Sequence, residues 1–389
     1  MVTTHVALGG ETVAFRHPPD LSSLTIIAPG DPFLAEAVGR RRPKRLLEVA
    51  SGFGVVGLAA LENGWSDRVV WVMRDLIGAL PLRETLEAER LSGGEVILGE
   101  GPLDASDESF DVVIVHQQQS RALTETLIRQ ALVRVETEGL ILVAGAVKEG
   151  VSGSEAILRE VCEVVEVTAW GRGVRIMTAR KPRPGRALHD TAPRRRHRAE
   201  IAGTTVDWIT TDGVFSADGL DPATELLLET VTLPHKGRIL DFGCGAGVIG
   251  LWCAARMPDV TVTMVDSDVA SVRCAEEGAR LNALGNARAL LSDGALLASE
   301  QRFDVVITNP PVHRGRKCDP TLVEGFARAA ARAIGRKGRL WLVTAPTVPI
   351  RRALEELFTD VRIAAENGSF RVWDAIRRPS QRRERQVRF

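Results

Sequence analysis

Asn309, Pro310 and Pro311 follow directly on the apolar run Asp304-Val-Val-Ile-Thr308. Proline fixes φ and lacks a backbone N–H, so the two prolines end a strand and stiffen the chain at its carboxyl edge. The Asn309 side-chain oxygen and the Pro310 carbonyl are both acceptors. An amine whose lone pair is delocalised into an aromatic ring is a poor nucleophile. Two fixed acceptors can hold its two N–H groups and favour a tetrahedral nitrogen whose lone pair faces an electrophile. Positioning then supplies most of the rate, up to ~7–11 kcal/mol for well-aligned reactants. An isolated Asn-Pro pair reads as a rigid turn, so the assignment depends on what stands beside it.

A second group is Asp241-Phe-Gly-Cys-Gly-Ala-Gly247, with Gly243, Gly245 and Gly247 between an apolar run and a helical pattern starting near Val248. Glycines allow a sharp turn and bring backbone N–H groups and the helix N-terminus close to a ligand. Asp266 ends the next strand, where an acid can bind ribose hydroxyls, and Asp293 follows the third strand, within reach of an adenine edge. Gly245-x-Gly247-x-x-Gly250 also fits the dinucleotide fingerprint, which alone is weak, since such turns are often tight packing. Asp241 within the strand, an acid at each of the next two strand ends and Asn-Pro-Pro after the fourth point instead to S-adenosylmethionine. A dehydrogenase explains the loop but not Asn-Pro-Pro, and this chain has no tyrosine for the hydride-transfer chemistry that uses one.

Short β-rich runs alternate with helical patterns in both halves, the signature of parallel sheets flanked by helices. The expected strands are Arg45–Ala50, Arg68–Met73, Glu95–Gly99, Phe110–His116 and Gly139–Ala144, then Arg238–Phe242, Thr261–Asp266, Ala287–Leu291, Phe303–Asn309 and Arg339–Thr344. In open α/β sheets ligands bind at the carboxyl ends of strands, where both motifs fall.

The halves superpose with a shift of 193 residues: Glu48–Gly57 falls on Asp241–Gly250, and Asp111–His116 on Asp304–Asn309. This is an internal duplication. The first copy has lost the chemical groups. Ala50 replaces Gly243, Met73 replaces Asp266, and His116-Gln-Gln-Gln stands where Asn309-Pro-Pro-Val stands, although Gly52, Gly54 and Gly57 survive and Asp75 is close enough to restore an acid through a shifted loop. The fold class expected is α/β, with two tandem Rossmann-like domains: a degenerate one over 1–180, a basic linker over 181–200 and a catalytic one over 201–389.

The chain of 389 residues is long enough for two such cores and has no net formal charge, so composition forces no polyelectrolyte partner. Residues 1–179 hold 17 basic and 25 acidic side chains, whereas 180–198 hold eight basic and one acidic, and Arg377–Phe389 adds six basic against one acidic. The linker reads equally as a solvated connector or an RNA-contacting segment. Five cysteines are scattered, without a CxxC pair or zinc-spaced cluster, which argues for a reducing compartment and no metal. Neither a signal peptide nor a long apolar span is present, so a cytoplasmic chain without membrane attachment is expected.

Four segments resemble a known family: Thr211–Glu229 (TDGVFSADGLDPATELLLE), Ile239–Gly250, Phe303–His313 and Gly368–Ile376 (GSFRVWDAI). They are similar to the ribosomal RNA guanine-N2 methyltransferases of the RsmC and RlmG kind. The likeness extends over nearly the whole chain, and Gly145–Leu158 resembles a segment of that family's degenerate first domain. The glycine loop with Asn-Pro-Pro specifies a reaction class shared by many amine methyltransferases; Gly213–Ser216 and the duplication are more specific. The resemblance implies a seven-stranded sheet in each domain, with Asp360–Arg377 supplying the closing hairpin. It implies that Asp241, Gly243, Gly245, Gly247, Asp266 and Asp293 line the cofactor pocket, with Phe215 near the methionine end. Asn309, Pro310 and Pro311 would then hold a guanine amine of ribosomal RNA, free or within a subunit.

One position departs from the pattern. The residue after the prolines is normally aromatic in this group and here is Val312, so the ~1–3 kcal/mol of base stacking must come from another ring, Phe215 among them, or the substrate differs. His313 keeps the family's next residue and reads either as a substrate contact or as a solvated loop histidine. Arg314, Arg316 and Lys317 suit phosphate contacts at the mouth of a base-accepting pocket. Adenine N6 or a protein glutamine as substrate, and a catalytically silent RNA-binding assembly factor, are the competing readings. The modified nucleotide and the oligomeric state are not specified by the sequence, which is compatible with a monomer.

Overall fold

The computed structural model describes residues 1–19, 26–171, 173–186, 192–294, 302–314 and 317–377. The chain divides into two compact units: Met1–Arg194 with Thr211–Gly213 and Asp268–Ala270, and the remainder.

Unit 1 opens with a hairpin, β1 (Val2–Leu8) and β2 (Glu11–His17). Its main sheet uses β3 (Arg45–Val49), β4 (Arg68–Met73), β5 (Gly94–Leu98), β6 (Phe110–His116), β7 (Val135–Ala146), β8 (Cys162–Gly171) and β9 (Val174–Pro182), in the order β5-β4-β3-β6-β7-β9-β8. Strands β3 to β7 are parallel, and β9 runs antiparallel to both β7 and β8. Alternate residues enter opposite cores. Val69, Trp71 and Met73 pack in one apolar cluster, Val70 and Val72 in another. A strand buried on both faces must be apolar throughout, which is why β4 reads Val-Val-Trp-Val-Met without a polar alternation.

Unit 2 begins with a second hairpin, β10 (Arg195–Ile201) and β11 (Thr204–Thr210). Its sheet uses β12 (Gly237–Phe242), β13 (Val260–Asp266), β14 (Ala287–Leu291), β15 (Phe303–Thr308), β18 (Ile334–Thr344), β19 (Asp360–Glu366) and β20 (Arg371–Ile376), with the two-residue strands β16 (His313–Arg314) and β17 (Lys317–Cys318) forming a separate ribbon. Its order, β14-β13-β12-β15-β18-β20-β19, repeats that of unit 1 strand for strand. Asp360–Arg377 contains the antiparallel closing pair.

The duplication extends to individual hydrogen bonds. Arg45 N donates to Asp111 Oδ2 and Arg238 N to Asp304 Oδ2, each at 2.8 Å. Gly57 N donates to Glu48 Oε2 at 2.7 Å and Gly250 N to Asp241 Oδ2 at 2.9 Å. All four pairs are related by the 193-residue shift. The linker expected over 181–200 is shorter than its composition suggested: β9 continues to Pro182, and Arg195–Glu200 is strand. The arginines of β10 take up the extended form because they pair with β11, whose Trp208 is buried and stacks on His197 at a centroid distance of 5.3 Å. Residues 187–191 of that linker and 378–389 of the basic tail lie outside the described residues. Among the described residues no helix is long and apolar enough to cross a membrane.

Ala50 keeps the left-handed turn of the glycine it replaces, with φ +55 against +72 at Gly243. That conformation costs an L-residue ~1–2 kcal/mol. Glycine would relieve it and give back ~0.4–1 kcal/mol through the flexibility of the unfolded chain. Ala50→Gly is therefore expected to stabilise unit 1 by about 0.5–1 kcal/mol. Calorimetry should show its melting transition rising by about 1–4 °C.

Candidate active site

In unit 2, β12 and β15 are adjacent and parallel at the centre of the sheet, and the Thr308 hydroxyl donates to Phe242 O at 2.7 Å where both strands end. The glycine loop leaves one strand there and Asn309-Pro310-Pro311 the other. This is the point where the strand order reverses and crossover helices diverge to opposite faces, opening a crevice. Gly243, Cys244 and Asn309 line one cleft together with Phe215, Asp221 and Thr224.

Each glycine of the loop has a positive φ: +72 at Gly243, +52 at Gly245 and +83 at Gly247. A Cβ on Gly245 would stand 3.7 Å from the Phe215 Cβ, and one on Gly243 would press within 2.9 Å of the Phe326 ring. Side chains there would be strained and would obstruct close approach to the backbone. Asp266, at the end of β13, accepts from Gly245 N at 2.8 Å and so holds the loop's central turn. Ser292 N donates to Asp266 O at 2.9 Å, which brings the exposed Asp293 to the neighbouring strand end. A glycine turn beside an acid suits the adenosyl and ribose parts of S-adenosylmethionine, for which Asp266 and the loop amides would supply the polar contacts.

Asp241 is fully buried beneath the loop. Its Oδ2 accepts from Gly250 N, while its Oδ1 has no hydrogen-bond partner. Burial, reinforced by the charge of Asp266 and opposed by the Gly250 N–H, pushes its pKa up to about 7. A carboxyl whose pKa rises on folding favours the native state fully below its unfolded value near 4. That contribution is lost as pH climbs through about 7. Asp241→Asn keeps an acceptor for Gly250 and removes the titration. Without ligand, its melting temperature should exceed that of the parent protein at pH 8, and the two should converge by pH 4.

The remaining expected site residues are placed less uniformly. Phe215 is 61% exposed, an aromatic ring left facing solvent at the cleft. Pro310 is buried, Pro311 is exposed, and Val312 packs against the apolar cluster of this unit. His313 and Arg314 pair with Cys318 and Lys317 across the ribbon that follows. Arg316 lies outside the described residues.

Two polar groups at this site carry no signal in the motif itself. Asp221 caps the helix Pro222–Thr230, its Oδ2 accepting from Thr224 N at 2.8 Å. The same oxygen accepts from Asn309 Nδ2 at 2.8 Å, and Thr224 Oγ1 accepts from that nitrogen at 3.0 Å. An Asp-Pro start is a recognisable helix N-terminus. Its contact with a residue 88 positions away is not written in the local sequence.

At the corresponding strand ends of unit 1 the equivalent side chains bond to groups of the unit itself. His116, at the place of Asn309, turns its Nε2 to Glu48 Oε1 at 2.8 Å, with its Nδ1 3.7 Å from Asp31 Oδ1. Burial opposes the imidazolium, but the Glu48 hydrogen bond and the two acidic charges outweigh it and raise the His116 pKa. Gln118 Nε2 donates to Ala50 O at 3.1 Å. Glu100, at the place of Asp293, is bound by both terminal nitrogens of Arg194, at 2.7 and 3.0 Å.

Comparison with known proteins gives a consistent picture. Residues 12–178 and 205–374 each match the methyltransferase small domain. The chain is 29% identical to the ribosomal RNA small subunit methyltransferase C of Pseudoalteromonas atlantica over 268 residues, 69% of this chain and 78% of that protein. It is 29% identical to the protein of the same name from Hahella chejuensis over 273 residues, 70% and 79% of the two. Among solved structures, the 16S rRNA N2 methyltransferase RsmC of T. thermophilus, in complex with AdoMet and guanosine, superposes with a TM-score of 0.79 at 25% identity, covering 97% of this chain and 98% of that one.

Proposed function

The chain belongs to the methyltransferase small domain family, and from that premise we propose that unit 2 transfers a methyl group from S-adenosylmethionine to the exocyclic N2 amine of a guanine in ribosomal RNA. One observation carries the reading: the glycine loop and the Asn309 amide line a single cleft at the ends of two adjacent parallel strands. A dinucleotide site accounts for the loop and leaves Asn-Pro-Pro without a role.

S-adenosylmethionine, when bound, supplies a methyl group on a positively charged sulfur that is a good leaving group. Asp266 and the loop amides bind and orient its adenosine portion, with Asp241 fixing the helix start at Gly250 from below and Asp293 at the adenine side. Asn309 Oδ1 and the Pro310 carbonyl accept the two N–H groups of the guanine amine and hold the nitrogen lone pair in line. Pro311 keeps that turn rigid. Once methylated the nitrogen is cationic and acidic and gives its surplus proton to water, so no strong general base is required and catalysis is chiefly positioning. Phe215 provides the flat apolar face for the extruded base, the part Val312 gives up by packing inward. His313, Arg314, Arg316 and Lys317 form the following segment, whose cations contact phosphate.

The substrate is ribosomal RNA, free or assembled in a subunit, the compartment the cytoplasm, and one chain supplies every residue assigned here. Mass spectrometry of ribosomal RNA nucleosides from cells with and without the gene tests the reading. Loss of N2-methylguanosine supports it. Loss of N6-methyladenosine, or an unchanged nucleoside profile with a methylated glutamine missing from a protein, would replace it.

A further inference from the structure

Among the described residues the Asn309 amide is held through its nitrogen. Its nitrogen donates to Asp221 Oδ2 at 2.8 Å and to Thr224 Oγ1 at 3.0 Å, which uses both of its hydrogens. An amide can in principle present either its oxygen or its nitrogen to a ligand, the two ends being nearly the same size. A carboxylate only accepts. Turning the amide over would set Asn309 Oδ1 against Asp221 Oδ2, oxygen on oxygen, and would point two N–H donors at a substrate group that is itself a donor.

We infer that Asp221, assisted by Thr224, is a positioning pair that locks the Asn309 amide with its oxygen toward the substrate. The pair thereby makes the cleft selective for an amine over a carbonyl. This rests on the reading of Asn309 as an acceptor for the guanine amine. The helix Pro222–Thr230 supplies the rigidity, because Asp221 is its cap and Thr224, which is buried, lies in its first turn. One carboxylate oxygen thus ties the helix start and the catalytic amide to the same point.

The cap and the lock can be separated by side-chain length. Asp221→Ser retains a good N-cap but is too short to reach Asn309. Asp221→Asn can place its single amide oxygen where Oδ2 stands and satisfy both contacts. Thr224→Val removes the second acceptor with almost no change of shape. Transfer of labelled methyl from S-adenosylmethionine is measured with the full chain on small-subunit ribosomal RNA, free and in subunits. Asp221→Ser is expected to lower kcat about 10- to 100-fold, with KM for RNA, cofactor Kd and melting temperature close to the parent values. Thr224→Val should lose about tenfold or less, and the double variant should approach Asn309→Ala. Asp221→Asn should recover most of the rate lost in Asp221→Ser.

The deciding arm is the pairing with Asn309→Ala. In that background Asp221→Ser should have no further effect, since there is no amide left to orient. An equal loss in both backgrounds, or a loss that appears in Tm or cofactor Kd rather than in kcat, would overturn the lock while leaving the acceptor role of Asn309 standing. Full activity of Asn309→Ala itself would remove the underlying reading. If Asp221→Ser does not fold, Thr224→Val tested in both backgrounds gives the same decision.

Discussion

Asn309→Ala is expected to lower kcat for methyl transfer by about 100- to 1000-fold, with S-adenosylmethionine still bound at its original affinity. On the proposed reading its carboxamide, which lines the cleft beside the glycine loop, grips the substrate amine. Removing a preorganised polar group that acts on the reacting atoms typically costs this much. Asp241, Asp266 and the glycine loop remain in place, so cofactor binding is spared. The Pro310 carbonyl also survives, which keeps the loss short of complete inactivity. Single-turnover measurements with saturating cofactor separate the two quantities. A rate within threefold of the parent protein would remove Asn309 from the chemistry.

The second large effect concerns the donor. Calorimetric titration should give one S-adenosylmethionine per chain, and Asp266→Ala should weaken its binding by about 10- to 100-fold. Hydrogen bonds to an ionised carboxylate contribute about 1.5–3 kcal/mol each. Asp266 also holds Gly245 N at 2.8 Å, so its loss loosens the turn as well as removing the proposed ribose acceptor. Unit 1 is expected not to bind. Met73 stands at the place of Asp266, His116 is bonded to Glu48, and Glu100 is paired with Arg194. A stoichiometry of two would contradict that assignment, and unaltered affinity in Asp266→Ala would remove the carboxylate from the cofactor site.

Much of this arrangement could be read from the sequence because parallel strands buried on both faces are nearly uniform in hydrophobicity. Phe110–His116 and Ala287–Leu291 have their expected limits, and the glycine turns at Gly243 and Gly54 announce themselves by residue type. The two hairpins did not. Arg195-Arg-His-Arg-Ala-Glu-Ile201 has the composition of a linker, and only its pairing with Thr204–Thr210 makes it a strand. Strands β7 and β18 begin four and five residues earlier than expected, each with a shift of register where it joins its neighbour. At the candidate site the motifs that share the cleft were legible, since Asn-Pro-Pro and the glycine loop are local patterns. The Asp221 and Thr224 contacts to Asn309 were not, because nothing in a helix cap indicates which distant side chain its second lone pair will meet.

Ala50 retains a handedness that suits glycine, and the Glu48–Gly57 bond retains the geometry of its Asp241–Gly250 twin. Within one polypeptide the two copies therefore share a backbone scaffold and differ in the side chains mounted on it. His116 against Asn309 and Met73 against Asp266 stand on sheets of the same strand order. A second copy of this kind is an internal reference. Comparing the two halves position by position separates what folding demands from what turnover demands, without recourse to another organism's protein.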